Sequence, residues 1–172
     1  MTRIDTEDIE AISLETSEGI PNHPAWPLVI YRQAVDEQTA DRIEAQLQSN
    51  GWAGTWQNGV FDYHHFHSNA CEVLACAAGQ ATVQFGGPDG PEVEISAGDV
   101  AILPPGTGHK RIDADADFLI VGGYPPGQTG YDMFGNEPQR LAEARQNIAR
   151  TPRPDSDPIA GQDGPLLQLW AE

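Results

Sequence analysis

Basic residues are scarce in this chain. Only nine of its 172 residues are lysine or arginine, against 26 aspartates and glutamates, and the formal net charge is -17. A surface this negative repels nucleic-acid phosphates and anionic lipid headgroups. We therefore expect no nucleic-acid partner and no membrane partner, and we interpret the acidic excess as a solvated surface that keeps the protein soluble.

Long apolar runs are also lacking. No stretch approaches the roughly 18 apolar residues that a membrane-spanning helix requires. The N-terminal segment, with Asp5, Glu7 and Asp8, has neither the basic region nor the apolar region of a secretory signal. These absences predict a cytoplasmic protein, and the length fits one domain with a substantial core.

Cysteine is limited to two residues, Cys71 and Cys76. They are five positions apart in a predicted strand, so their side chains should point to opposite faces, well beyond disulfide reach. We predict that both are reduced residues of the core.

The middle of the chain consists of short β-rich runs separated by glycine and proline turns. This alternation is typical of an all-β sandwich or barrel, and the absence of crossover helices predicts antiparallel pairing. The predicted strands are Phe61–Tyr63, Glu72–Cys76, Ala81–Phe85, Glu92–Ile95, Val100–Leu103 and Phe118–Val121.

The flanking segments have different patterns. Residues 1–26 are polar and acidic and predict a loosely packed arm, whereas residues 36–50 have the apolar spacing of an amphipathic helix capped by Asp36. Asn136 is predicted to cap a second helix that ends near Arg150, and residues 165–170 to dock as a strand or clasp. The expected organisation is an arm (1–26), a β-barrel core (27–135) and a C-terminal helix and tail packed on the barrel (136–172).

Histidines are concentrated in one short segment. His65 and His67, two apart on a strand, point to one face, whereas His64 points to the other and is predicted to lie at the surface or behind the ligands. Glu72 on the next strand and His109 after a Pro/Gly turn can complete the set. Three imidazoles and a carboxylate suit a borderline divalent ion and, in octahedral geometry, leave two positions for water or substrate.

Two spaced motifs contain these residues. The first runs through Gly59, His65, His67, Glu72 and Gly79, and the second through Gly98, Pro104, Gly106 and His109. In order and spacing they resemble the two motifs of the cupin superfamily. The one departure is Asp113, where the family has an Asn that is not a metal ligand, so the departure concerns a turn-supporting role alone.

The resemblance, which covers residues 59–121 with the motifs at 59–113, has several implications. It implies a double-stranded β-helix, or jelly-roll barrel, with flanking helices, and commonly a homodimer. It also implies one divalent transition metal, such as Fe, Mn, Ni or Zn, bound by His65, His67, Glu72 and His109.

The resemblance leaves the function open between two classes. The favoured class is a metal-dependent enzyme of the dioxygenase or oxidoreductase type acting on a small organic molecule, although isomerases and decarboxylases also occur in the superfamily. The other class is a non-catalytic domain that binds or senses a small molecule. Five residues are candidates to line a substrate pocket, with core packing as the alternative for each: Phe61, Tyr63, Phe85, Tyr124 and Gln128, with Tyr131 nearby.

Overall fold

Two antiparallel sheets form the body of the protein. The computed structural model describes residues 4–35 and 39–171. One sheet has six strands in the order β1-β2-β8-β5-β10-β3. Their bounds are β1 Ile9–Ile12, β2 Leu28–Tyr31, β3 Ala53–Asn58, β5 Glu72–Ala78, β8 Val100–Leu103 and β10 Leu119–Tyr124.

The second sheet has five strands in the order β11-β4-β9-β6-β7. Their bounds are β4 His65–Phe66, β6 Gln80–Phe85, β7 Glu92–Ser96, β9 His109–Ala114 and β11 Phe134–Gly135. All strand pairs in both sheets are antiparallel, as predicted. The all-β double-stranded β-helix that the resemblance implied is therefore confirmed.

Three short helices flank the sheets: α1 Ala40–Ser49, α2 Leu141–Arg150 and α3 Leu166–Leu169. Single 3-10 turns lie at Thr6–Asp8 and Pro138–Arg140. Within the described part of the chain, no helix has the length and apolar character needed to cross a bilayer.

The central strands of the six-stranded sheet are buried on both faces. Alternate side chains of its strands point between the sheets, where Leu74 and Leu103 meet Phe85. The others point outward and are covered by α1 and the C-terminal segment, with Leu47 and Trp170 among the residues that bury them. Two-sided burial explains why its central strands are continuous apolar runs rather than alternating ones.

The C-terminal segment is fastened by one buried carboxylate. Asp157 is fully buried and accepts hydrogen bonds from the Tyr31 hydroxyl and from the backbone N–H groups of Ile159, Ala160 and Leu166. Buried polar groups of this kind are tolerated because every donor and acceptor is paired. The segment predicted as a strand or clasp thus docks as the short helix α3.

Some predicted strands were wrong. Phe61–Tyr63 lies in a loop, whereas β3 and β9 were not predicted. Both of these strands combine exposed polar positions with few apolar ones, since β3 forms a sheet edge and half of the six residues of β9 are charged. Their strand conformation comes from pairing with β10 and β6, which a local pattern does not show.

The flanking segments also differ from prediction. The supposedly loose arm contains β1, an edge strand of the larger sheet, and the fully buried Ile20. Thr39 caps α1 by accepting from the N–H of Arg42, while Asp36 lies outside the described residues. Asn136 does not cap α2, because its carbonyl oxygen accepts from the Gly19 N–H at 2.6 Å instead.

We expect neither cysteine to react with iodoacetamide at pH 8 in the folded protein. Cys71 and Cys76 are buried in different clusters, and burial raises the pKa of both thiols, that of Cys76 to about 11. Only roughly one Cys76 thiol in a thousand is then ionised at that pH. Mass spectrometry should detect no added mass in native protein and two additions in urea; rapid native labelling would contradict the burial.

Candidate metal centre

The predicted ligands come from both sheets. His65 begins β4, His67 follows that strand, and His109 begins β9, so the three imidazoles belong to the five-stranded sheet. Glu72 begins β5 in the six-stranded sheet. Pairing of β4 with β9 places His65 directly opposite His109. The centre therefore lies at one end of the barrel, where the two sheets face each other.

Three of these residues bring their donor atoms together. The donor atoms of His67, Glu72 and His109 all lie within 4.8 Å of one another, and all three side chains are buried. His109 Nε2 is 3.2 Å from Glu72 Oε1, and His67 Nε2 is 3.5 Å from Glu72 Oε2. The carboxylate thus lies between the two imidazoles.

His65 lies beside this set without belonging to it. Its ring centroid is 4.0 Å from that of His109 and 6.3 Å from that of His67, and its side chain lines the same cavity. Burial and the neighbouring His109 lower the pKa of His65 to about 3. A neutral imidazole is the form in which histidine binds metals.

Backbone carbonyls fix the tautomer of each imidazole. A carbonyl oxygen can only accept, so the Nδ1 facing it must carry a proton, and in the neutral ring Nε2 then keeps its lone pair. Such an arrangement is typical of metal-binding histidines. The pairs are His65 Nδ1 to Tyr63 O at 2.9 Å, His67 Nδ1 to Asp132 O at 2.5 Å, and His109 Nδ1 to Thr107 O at 3.1 Å.

The electrostatics of this cluster fit a cation. Burial alone would raise the pKa of Glu72, but the adjacent His67 and His109 lower it overall, so the carboxylate is ionised. Its Oε1 is buried without a hydrogen-bond partner among the described residues. Two imidazole lone pairs facing a buried carboxylate repel it unless a proton or a metal ion lies between them. The donor set therefore suits a divalent transition metal.

The turn before His109 depends on glycine. Gly106 has a φ of 91°, and a Cβ there would lie 2.5 Å from Cδ1 of Ile148 on α2. Glycine alone permits both the left-handed backbone and the close approach. This explains in physical terms why the second motif requires Pro-x-Gly just before its histidine.

A chain of two hydrogen bonds, which we call the relay, holds the Glu72 carboxylate. The sequence did not predict it. The Tyr124 hydroxyl donates to Glu72 Oε2 at 3.0 Å and accepts from the indole N–H of Trp56 at 3.0 Å. Burial and the charge of Glu72 raise the pKa of Tyr124, so its hydroxyl stays protonated as a donor. The relay therefore leaves Glu72 Oε1 as the oxygen available to a ligand.

We expect Tyr124→Phe to weaken metal binding roughly tenfold, at the lower end of the 10–100-fold that outer-shell partners contribute. The substitution keeps the ring and removes only the hydroxyl that orients the carboxylate. Metal affinity is to be measured by competition with a chelator of known affinity. Phe66→Leu, on the opposite side of β4, is the control; an unchanged affinity in Tyr124→Phe would show that the relay does not orient Glu72.

Asp132, whose backbone carbonyl pairs with His67 Nδ1, is held in place by hydrogen bonds of its side chain. The Ser68 N–H donates to Asp132 Oδ1 at 2.7 Å, the Ser68 hydroxyl donates to Asp132 Oδ2 at 2.5 Å, and Asn147 of α2 donates to the Ser68 hydroxyl at 3.0 Å. Asp132 is 64 positions further along the chain than Ser68. No local signal indicates a pair at that separation, so the sequence could not predict this support.

A cavity of about 340 Å³ opens from the four predicted ligands. Two of the predicted pocket residues, Phe61 and Tyr124, line it, as does Tyr131. Tyr63 does not: it is exposed and stacks on Phe61 in the loop, with ring centroids 5.2 Å apart. The other apolar lining residues, which the sequence did not indicate, are Trp56, Val60, Leu74 and Met133.

Two further pocket predictions were wrong. Phe85 is packed in the core between the sheets, because alternate residues of β6 point inward there. Gln128 is buried outside the cavity, where its side chain accepts from the Cys71 N–H at 2.7 Å and donates to the Pro152 carbonyl at 3.1 Å. Both residues serve packing and backbone pairing.

Comparisons with known proteins agree with this architecture. The sequence profile described as a cupin domain matches residues 55–118. The uncharacterized protein YjlB of Bacillus subtilis (strain 168) is 41% identical over 154 residues, which make up 89% of this chain and 91% of that protein.

Solved structures are less similar to this chain, and their similarity indicates nothing about its activity. An uncharacterized protein with a double-stranded β-helix domain from Klebsiella pneumoniae has 16% identity and a TM-score of 0.37, over 77% of this chain and 83% of that one. Acireductone dioxygenase from Bacillus anthracis, with cadmium in its active centre, has 19% identity and a TM-score of 0.35, over 49% and 57%. By its profile match, its 41% identical relative and its two-sheet fold, the chain belongs to the cupin superfamily.

Proposed function

We propose that this protein is a metal-dependent enzyme that binds one divalent transition ion through His65, His67, Glu72 and His109. The reaction takes place on a small organic molecule held in the adjacent cavity, and the reaction class is oxidoreductase, of the dioxygenase type. The observation that supports it is the convergence of oriented imidazole nitrogens and an orphaned carboxylate oxygen on the wall of an open cavity.

His65 is the fourth ligand of this proposal. Its Nδ1–H is fixed by a carbonyl, its ring contacts His109, and its lowered pKa keeps Nε2 unprotonated. His65 lines the same cavity as the other three proposed ligands, whereas His64 is on the opposite side of the strand. His65 thus completes a set of three nitrogens and one oxygen.

The cavity favours an uncharged substrate with an apolar or aromatic body. Among its lining residues there is no lysine or arginine, and apart from the proposed ligands its side chains are aromatic and aliphatic groups with two uncharged amides, those of Gln57 and Asn58. A substrate with several negative charges would leave at least one of them without a partner, at a considerable desolvation cost. At most one anionic group can be satisfied, by the ion itself.

The protein's own groups prepare the site for chemistry. When bound, a divalent transition ion supplies Lewis acidity and, if redox-active, electron transfer. Tyr124 orients the Glu72 carboxylate, and the backbone carbonyls hold the Nδ1 side of each imidazole, so that Nε2 is the nitrogen left for a metal ion. Tyr131 stacks on Tyr124 with centroids 4.3 Å apart and forms part of the apolar wall that limits water.

The test is elemental analysis of protein purified without a histidine tag or chelator, followed by oxygen-uptake assays. We expect about one ion per chain, and uptake with uncharged phenolic or enolic compounds but not with dicarboxylates. One iron per chain with substrate-dependent uptake supports the dioxygenase proposal. One zinc, manganese or nickel without uptake would contradict it and favour an isomerase, a decarboxylase or a binding protein.

A further inference from the structure

A second and larger cavity lies on a different part of the molecule. Its volume is about 810 Å³, and it shares no lining residue with the metal cavity. One wall is the N-terminal segment from Leu14 to Trp26, and the other is the second half of α2 with the residues that follow it. This volume is in the range of small-molecule sites.

The charge of this cavity is opposite to that of the protein. Arg145, Arg150 and Arg153 line it, so a third of the nine basic residues of a chain of net charge -17 meet at one place. None of the three forms an ion pair within the described residues. Among the described residues, Arg145 donates only to the Thr16 hydroxyl and Arg153 only to the Leu167 carbonyl, so several guanidinium N–H groups remain available.

The opposite wall offers apolar and aromatic surface together with one carboxylate, that of Glu15, against the three arginines. His23 stacks on Trp26 with centroids 4.3 Å apart and planes within 4°, and Trp26 stacks in turn on Trp170. His23 is neutral, since burial lowers its pKa to about 4 and its Nδ1 accepts from the N–H groups of Ala25 and Trp26. The aromatic stack therefore presents a flat and uncharged ring to the cavity.

We propose that this arginine cavity binds a small organic anion, a carboxylate, sulfonate or phosphate carried on an apolar or planar body. Guanidinium groups pair with such anions in planar, charge-assisted hydrogen bonds. The apolar wall accommodates the body of the molecule, and the volume suits a compound of drug-like size rather than a protein segment. The proposal does not depend on the metal centre or on its reaction.

The test uses anilinonaphthalene sulfonate and its uncharged analogue phenylnaphthylamine as fluorescent probes, with inorganic sulfate as the anion without an apolar body. The protein is kept in a chelator so that metal plays no part. We expect one sulfonate probe per chain, with the uncharged probe and sulfate each binding at least roughly tenfold more weakly.

The variant is Arg145→Gln with Arg150→Gln, and the matched control is Arg111→Gln. Both arginines of the variant are exposed, and Arg145 gives up one hydrogen bond to Thr16, so the fold should persist, as checked by circular dichroism. We expect the variant to lose sulfonate binding by roughly tenfold or more per arginine, and the control to lose none. Equal binding of charged and uncharged probes, sulfate binding as tight as that of the sulfonate probe, or sulfonate binding retained in the variant, would each overturn the proposal.

Discussion

His109→Ala should reduce bound metal from about one ion per chain to a trace. The substitution removes one of three donors that converge within 4.8 Å and leaves the buried Glu72 carboxylate facing one fewer nitrogen. Loss of a direct ligand should exceed the roughly 10–100-fold that removal of an outer partner costs. The measurement is inductively coupled plasma analysis of protein dialysed against a weak chelator.

The matched control is His64→Ala, which removes a histidine from the same segment. His64 neighbours Lys110 and Glu18 rather than the ligand cluster, so its loss should leave the metal content unchanged. Circular dichroism should show that His109→Ala keeps the sheets, since the substitution removes one ring at the end of the barrel and leaves the core cluster between the sheets in place. Full metal retention in His109→Ala, or loss in His64→Ala, would mean that the assignment of ligands is wrong.

Asp157→Ala should lower the free energy of unfolding by about 3–5 kcal/mol, because it leaves three backbone N–H groups and the Tyr31 hydroxyl without their buried acceptor. For a domain of this size, each kcal/mol corresponds to roughly 2–4 °C in Tm. The measurement is urea unfolding of the metal-free protein, so that ligand binding does not contribute.

Asp155→Ala is the control for this prediction. Asp155 is exposed and two positions away, so the variant carries the same change of charge and side-chain size without the buried contacts. We expect a change within about 0.5 kcal/mol for it. Equal stabilities of the two variants would show that the Asp157 network does not fasten the C-terminal segment.

The positions of the proposed ligands could be predicted from the sequence because their geometry is largely local. His65 and His67 share a face through the two-residue period of a strand, and the glycine turn that precedes His109 is dictated by backbone conformation at Gly106. The resemblance to the cupin superfamily then implied that His109 of the second motif lies beside the three residues of the first. Three of the four predicted ligands converge, and the fourth lines the same cavity.

The partners of those ligands were not predictable because they come from distant segments. Trp56 hydrogen-bonds to Tyr124, which is 68 positions away in the sequence, and Asp132 hydrogen-bonds to Ser68, which is 64 positions away. Tryptophan and aspartate at such positions have no periodicity or spacing that distinguishes them from ordinary surface or core residues. Only the register of β3 on β10, and the fold of the loop before β11, brings them to the site.

The pocket predictions failed for a related reason. Phe61 and Tyr63 were assigned to a strand, on which both would face inward, but the loop that contains them turns Tyr63 to solvent. Phe85 points into the core between the sheets, and Gln128 hydrogen-bonds to the backbone of Cys71 and Pro152. An aromatic residue in a β protein packs in a core as readily as it lines a cavity, and only tertiary contacts distinguish the two.

Burial of the central strands of the six-stranded sheet on both faces also affects how the chain folds during synthesis. All six strands of that sheet have been made once Tyr124 is added, but Leu166 and Trp170, which cover its outer face, are added later. At roughly 5–20 residues per second, the ribosome takes several seconds to synthesise the intervening segment. During that interval α1 already covers part of the outer face, but the part that Leu166 and Trp170 cover stays exposed, so this face is closed only after residues 166–170 are made.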